Sequence, residues 1–309
     1  MRGNVVEVRN LSRRFGDLIA LDRVNLDVQQ GWVYGIVGAN GAGKTTLIKH
    51  LLGLLRAKEG TVRVFGLDPV SHPVEVLQRI GYLSEEREMP EWMKIDELMR
   101  YTAAFHPDWD ISYAQELLST FRLDGRKKIK DLSKGMRAQV GLVAAVAHRP
   151  ELLLLDEPST GLDPIVRRDI LNAIIRTVAD DGRTAIFSSH LLDEVELMSD
   201  YIVMFQRGRL VLHGLLDEIK GLYQFLSVQF ARTTVPLSQV EGVLSADQHG
   251  SSWSIVCNGQ REQAIERLAA AGGEVTHIRN ASLQEIFVAL ARREAVVLEG
   301  CEHLSVAEA

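Results

Sequence analysis

The stretch WVYGIVGANGAGKTTLIKHLLGLL (32–55) decides the fold. Its first part, WVYGIV (32–37), is an apolar run of strand length that ends in glycine. Its last part, TLIKHLLGLL (46–55), repeats its apolar residues with helical periodicity. Between them, GANGAGKTT (38–46) matches G-x-x-x-x-G-K-[ST] with Gly38, Gly43, Lys44 and Thr45. Glycine lets a backbone wrap closely around phosphate oxygens, and a helix N-terminus behind the loop adds positive potential. The main chain of Gly38, Ala39, Asn40, Gly41, Ala42, Gly43, Lys44, Thr45 and Thr46 is therefore the expected phosphate cradle. Lys44 reaches β- and γ-phosphates in such a loop, and the Thr45 hydroxyl suits Mg2+.

A second stretch, LLLLDEPSTGLD (152–163), completes that chemistry. Four leucines read as a buried strand, with Asp156 at its carboxyl end, the edge at which open α/β sheets bind ligands. Asp156 is placed to hold Mg2+ through water, and Glu157 to polarise an attacking water. A third buried strand, TAIFSS (184–189), delivers His190 to the same edge, within reach of a γ-phosphate.

Working outward, NVVEV (4–8), VNLDV (24–28) and TVRVF (61–65) read as short strands. From about 85 to 149 the pattern becomes helical, with IDELMRYTAAF (95–105), YAQELLSTF (113–121) and QVGLVAAVAH (139–148) punctuated by Pro90 and Pro107. The sequence FHPDWD (105–110) reads as a helix-terminating loop with Trp109 buried, and RKKIK (126–130) as a solvated face. Strands and helices then alternate, which means a parallel sheet covered on both faces. Beyond about residue 220 the composition shifts to a small α+β domain (221–309), whose last dozen residues lack periodicity and are expected to be loose.

The 309 residues carry a net charge of −6, against the basic excess of a dedicated nucleic-acid binder. Two cysteines, Cys257 and Cys301, are too far apart for a C-x-x-C site and read as inert thiols. No apolar run approaches the roughly 18 residues of a spanning helix, and the N-terminus lacks a signal-peptide pattern. A cytoplasmic protein is expected, held at a membrane only through a partner.

Taken together in this order, the motifs of residues 4–220 resemble the nucleotide-binding subunit of ATP-binding cassette (ABC) transporters. The resemblance implies a P-loop NTPase core with an antiparallel β subdomain and a helical subdomain at about 85–149, and ATP and Mg2+ as ligands. Phe15 in RRFGD looks like the aromatic that stacks on adenine, GANGAGKTT like the Walker A loop, and LLLLDEP like the Walker B strand with its catalytic glutamate. STGLD with Asp163 resembles the D-loop, and His190 the switch histidine. LSKGM (132–136) stands at the signature position, with Lys134 and Met136 in place of the usual residues of L-S-G-G-Q; Ser133 and Gly135, the phosphate-facing pair, remain. Glu85 in IGYLSEERE (80–88) replaces the glutamine that usually attends Mg2+. Both departures resemble bacterial subunits that pair with a separate exporter-type permease.

The resemblance further implies a head-to-tail homodimer or heterodimer, with the nucleotide between one Walker A loop and the other subunit's signature loop. A transmembrane permease would dock near 85–110, placing the chain peripherally on the inner face of the cell membrane. Glu157, His190 and Lys44 would carry the chemistry, with Thr45, Asp156 and Glu85 around Mg2+. An importer ATPase, or a soluble ABC ATPase without a permease, is the alternative, although the chain shows one phosphate loop and no long heptad run.

Overall fold

A computed structural model of the chain describes residues 3–179, 182–230, 242–259 and 261–302. It divides into two compact units at His213/Gly214.

The first unit opens with a hairpin of β1 (Asn4–Phe15) and β2 (Leu18–Gln29). These strands extend well past the short runs read from the sequence, because alternation persists on one face while Arg, Asn and Ser occupy the other. There follow β3 (Val33–Val37), α1 (Lys44–Leu51), β4 (Glu59–Val64), α2 (Pro73–Leu77) and β5 (Ile80–Leu83). Strand β4 pairs with β1 to give a three-stranded antiparallel sheet, β2-β1-β4. The helical segment comprises α3 (Ile95–Ala103), α4 (Ile111–Thr120), a 3-10 turn at Ile129–Asp131 and α5 (Lys134–Val146). The chain then alternates through β6 (Leu152–Asp156), α6 (Pro164–Ala179), β7 (Thr184–Ser189), α7 (Leu192–Met198), β8 (Tyr201–Gln206) and β9 (Arg209–Leu215).

Six strands form the central sheet in the order β5-β6-β7-β3-β8-β9, and β5 through β8 run parallel. Every residue of β6 and β7 is buried, as strands covered on both faces require. Register fixes the working edge: Val37 pairs with Ser189, and Asp156 with Ser188. The next residues along, Gly38, Glu157 and His190, therefore leave the sheet side by side.

The segment IGYLSEERE is not all loop. Ile80–Leu83 forms the edge strand β5, so Glu85 lies just beyond a strand end. FHPDWD does end one helix and start another, and the Asp110 carboxylate caps α4 by accepting from Tyr113 N at 2.9 Å. Trp109, expected to be buried, is only half-buried. In the same stretch His106 stacks on His148 at 3.7 Å between ring centroids.

The second unit holds α8 (Leu216–Leu222), β10 (Tyr223–Phe230), β11 (Val243–His249), β12 (Ser252–Asn258), α9 (Arg261–Ala270), β13 (Gly273–Asn280) and α10 (Leu283–Glu302). Its antiparallel sheet runs β11-β12-β10-β13 over a core of Leu226, Val228, Phe230, Ile255, Cys257, Ala264 and Leu268. Burial pushes the Cys257 thiol up to about 11, which keeps it a protonated, unreactive thiol at neutral pH. The tail expected to be loose from about residue 298 is helical as far as Glu302; residues 303–309 lie outside the described residues.

Candidate functional site

The loop between β3 and α1 turns through two glycines at positive φ, Gly41 at 78° and Gly43 at 114°. A Cβ on Gly43 would sit 2.5 Å from the Ala20 carbonyl oxygen, so glycine is required there for space as well as for φ. The β8–β9 turn braces the loop from behind: Gly208 N donates to Ala42 O at 3.0 Å. Lys44 is 5% exposed, and its ammonium donates to Gly38 O at 2.7 Å. It also lies 3.4 Å from Glu157 Oε1. A buried cation thus faces the loop mouth, opposite a carboxylate from another strand.

Asp156 and Glu157 end β6 in different surroundings. Asp156 is 2% exposed and accepts from Ser188 Oγ at 2.6 Å. Glu157, 4% exposed, has left-handed backbone at φ 49°, a strained conformation that turns its side chain along the sheet edge. Its Oε2 accepts from Thr160 Oγ at 2.7 Å and from His190 Nδ1 at 2.7 Å. A carboxylate only accepts, so the imidazole carries its proton on Nδ1 in that bond. Oε1 is buried and makes no hydrogen bond. Burial pushes the Glu157 carboxyl up, but the bonds from Thr160 and His190 and the Lys44 charge outweigh it, and the net shift is downward. Glu157 is therefore ionised at neutral pH.

Lys44 and Glu157 line a cavity of about 400 Å³, whereas Asp156 and His190 stand behind Glu157 and do not line it. Its walls are the 40–46 loop, Phe15, Leu18, Glu85 and Glu157. Phe15 is 44% exposed at the end of β1, with the Arg13 guanidinium 4.7 Å from its ring centroid. Sequence-expected residues from four separate segments, Phe15, the phosphate loop, Glu85 and Glu157, are thus brought to one cleft.

Ser133, Gly135 and Asp163 do not line that cavity. Ser133 caps α5, its Oγ accepting from Met136 N at 3.2 Å. Gly135 is buried against Val166, where an added Cβ would lie 3.1 Å from Val166 Cγ1. Asp163 accepts from Ile165 N and Val166 N, each at 3.1 Å, and so starts α6. Lys134 folds its ammonium over the Gly161 turn of its own chain, which a Cβ on Gly161 would strike.

The family model for ABC transporters matches residues 21–160. The chain is 36% identical over 221 residues to the ABC transporter ATP-binding protein YhaQ of Bacillus subtilis, covering 70% of this chain and 73% of that one. The chain belongs to the ABC transporter family. Its likeness to the B. subtilis protein YtrB is 28% over 285 residues and reaches through the second unit, covering 92% of this chain and 97% of the relative. It is 36% identical to the daunorubicin/doxorubicin resistance ATP-binding protein of Streptomyces peucetius, with 70% and 67% of the two chains covered. Among solved structures, an ABC transporter ATP-binding subunit matches at TM-score 0.65 and 30% identity, over 70% of this chain and 92% of that one. The chain is thus an ATP-binding subunit of an ABC transporter, and an ATPase.

Within this cassette, several residues beside the site carried no sequence signal. Ser188 holds Asp156 and also accepts from Glu157 N at 3.0 Å. Ser159 donates to the buried Glu194 at 2.6 Å, which ties the turn after Glu157 to α7. Arg87, 5% exposed, reaches that same turn. Each acts across long sequence separations, and Arg87 stands in the charged run SEERE (84–88), which gives no hint that its side chain is buried. Among the described residues no helix is long and apolar enough to cross a membrane.

Proposed function

We propose that the chain is the ATP-hydrolysing subunit of an exporter, working as a homodimer or heterodimer beneath a separate transmembrane permease. The observation that carries this reading is Glu157. An ionised, buried carboxylate with one oxygen free of hydrogen bonds stands 3.4 Å from the phosphate-loop lysine, at the mouth of the cavity lined by Phe15. That oxygen is where an attacking water would be oriented and relieved of its proton. Lys44 and the main chain of 38–46 bind the phosphates, and Phe15 stacks the base. His190 holds the carboxylate and the γ-phosphate side of the cleft.

The residues fit Mg2+. Among the described residues no cluster of three or more His, Cys, Asp or Glu exists, and the ion commonly takes only one or two protein oxygens beside phosphates and water. Thr45 and Asp156 would hold it, with Glu85 through water. Bound there, Mg2+ neutralises charge on the phosphate oxygens.

Ser133 and Gly135 start a helix away from the cavity, which suits a phosphate carried by the other subunit; Asp163 shapes the adjoining loop. Trp92, Tyr101 and Phe105 are exposed within and next to the 85–110 segment. Beside them lies an apolar groove of about 480 Å³, lined in part by Val74, Leu77, Tyr82, Phe105 and His148, a suitable seat for a permease loop. The relative named for daunorubicin/doxorubicin resistance favours export. The chain would sit on the inner face of the membrane through that permease, with 221–309 as an accessory domain.

The test is Glu157→Gln. Hydrolysis is expected to fall about 10²–10⁴-fold, as for loss of a general base, while ATP binding persists. Unchanged turnover would remove Glu157 from the chemistry. Copurification of the chain with a polytopic protein from membranes tests the permease; cosedimentation with ribosomes would replace it.

A further inference from the structure

Arg87 follows β5 on the segment that also presents Glu85. Its backbone is left-handed at φ 52°, and its N–H donates to Ser84 Oγ at 3.1 Å, so the side chain is turned inward rather than out. The Nη2 group donates to Pro158 O and to Thr160 O, each at 3.1 Å. These carbonyls bracket the turn that follows Glu157. The Thr160 backbone N–H returns to Glu157 O at 3.3 Å, and its hydroxyl bonds Glu157 Oε2 at 2.7 Å. Arg87 thus holds the residue that holds the carboxylate.

Stability alone does not account for this choice. Nε and Nη1 of Arg87 are buried without partners, and burial pushes its pKa below the ordinary arginine value, against the pull of Glu85. A buried guanidinium using one of three nitrogens is costly, and a neutral donor would serve two carbonyls at less cost. What the guanidinium supplies is a stiff, planar fork that reaches both carbonyls from one nitrogen and fixes their spacing.

We propose that Arg87 is a positioning residue for ATP hydrolysis: by fixing the 158–160 turn it keeps the Thr160 hydroxyl on one oxygen of Glu157 and leaves the other aimed into the nucleotide cavity. Because Arg87 sits on the segment entering the 85–110 region, displacement of that segment releases or re-aims the carboxylate. The inference rests on the reading of Glu157 as the residue that activates water.

The experiment measures ATP hydrolysis by the full chain against ATP concentration, with ATP affinity determined separately. The variants are Arg87→Gln, Arg87→Lys, Thr160→Val, the double variant Arg87→Gln/Thr160→Val, and Glu157→Gln. Arg87→Gln is expected to lower kcat about tenfold with ATP affinity within about twofold, the pattern of a lost transition-state interaction. Arg87→Lys restores part of kcat. Thr160→Val reproduces the fall in kcat with ATP affinity kept, and the double variant is no worse than either single one.

Additive losses, or a fall in affinity matching the fall in kcat, overturns the proposal. Loss of nucleotide binding in Arg87→Gln makes Arg87 a folding brace and also overturns it. If Glu157→Gln is inactive while Arg87→Gln is normal, only the Arg87 inference fails; if Glu157→Gln retains full turnover, both fall.

Discussion

The starts of α1 and α5 pose the same problem and solve it differently. Both helices begin after a polar turn, and both leave N–H groups without intrahelical partners, a natural anion site. At α1 the chain finishes that site itself. Gly43 lies in the left-handed region, Lys44 is buried beneath the loop, and strand ends from across the sheet supply Asp156, Glu157 and His190. At α5 the only side chain serving the free donors is Ser133, which caps Met136 N at 3.2 Å, and Lys134 bends back over its own Gly161 turn. No acidic residue stands in the first turn of either helix. The difference teaches that the first corner gathers a cation, a glycine loop and strand-end carboxylates within one chain, whereas the second offers little beyond its own helix donors and one cap.

The largest effect expected is at the finished corner. Lys44→Ala removes charge-assisted bonds to phosphate and leaves Glu157 without its buried counter-ion. ATP affinity should fall about 10–100-fold, the equivalent of roughly 1.5–3 kcal/mol, read by calorimetric titration. An unchanged affinity would mean that the backbone cradle alone binds the phosphates, and the two corners would then be alike.

A second difference is electrostatic. Glu157 has its carboxyl depressed below the ordinary 4.5. By linkage its contribution to stability is present above the unfolded value and is lost as pH falls through the lower folded one. Hydrolysis should therefore persist down to about the ordinary glutamate range, without a loss set by Glu157 above pH 4.5. Urea unfolding midpoints of the parent and Glu157→Gln, compared between neutral pH and pH values below 4.5, should show a gap that narrows on acidification. A gap independent of pH would show that packing, not charge, sets the contribution of Glu157. Ser133→Ala, at the other corner, should cost about 1 kcal/mol of stability as a lost N-cap, with ATP affinity at the α1 corner unchanged and turnover reduced.

What was legible in the sequence follows the same division. The α1 corner is read from nine consecutive residues, because its chemistry is local backbone geometry and a single lysine. Asp156, Glu157 and His190 are read from the ends of apolar runs, and parallel register brings them together. The braces behind them were illegible: Ser188, Glu194 and Arg87 act through contacts that depend on β5, β6 and β7 lying in one sheet, and no spacing rule encodes that. The same holds for strand lengths at the N-terminus and for the His106–His148 stack, formed across two helical segments.

Lys134 is the smallest and sharpest test of the contrast. Were the signature loop to meet the other subunit's nucleotide, a lysine there would strengthen or retune that contact. Its ammonium instead lies on the turn formed by Gly161, whose φ is 69° and whose lack of a side chain makes the room. That places a positive charge between the α5 start and the loop leading to Asp163. An exposed charge in that position contributes tenths of a kcal/mol rather than several. Lys134→Gly should then leave ATP affinity unchanged and lower turnover about two- to threefold, measured as hydrolysis against protein concentration. If the loss is erased at high protein concentration, the lysine acts on subunit association; if it persists unchanged, the lysine acts by holding its own Gly161 turn. Turnover equal to the parent at every concentration would leave the α5 start with Ser133, Gly135 and the helix N–H groups alone, and the contrast between the two corners would be at its widest.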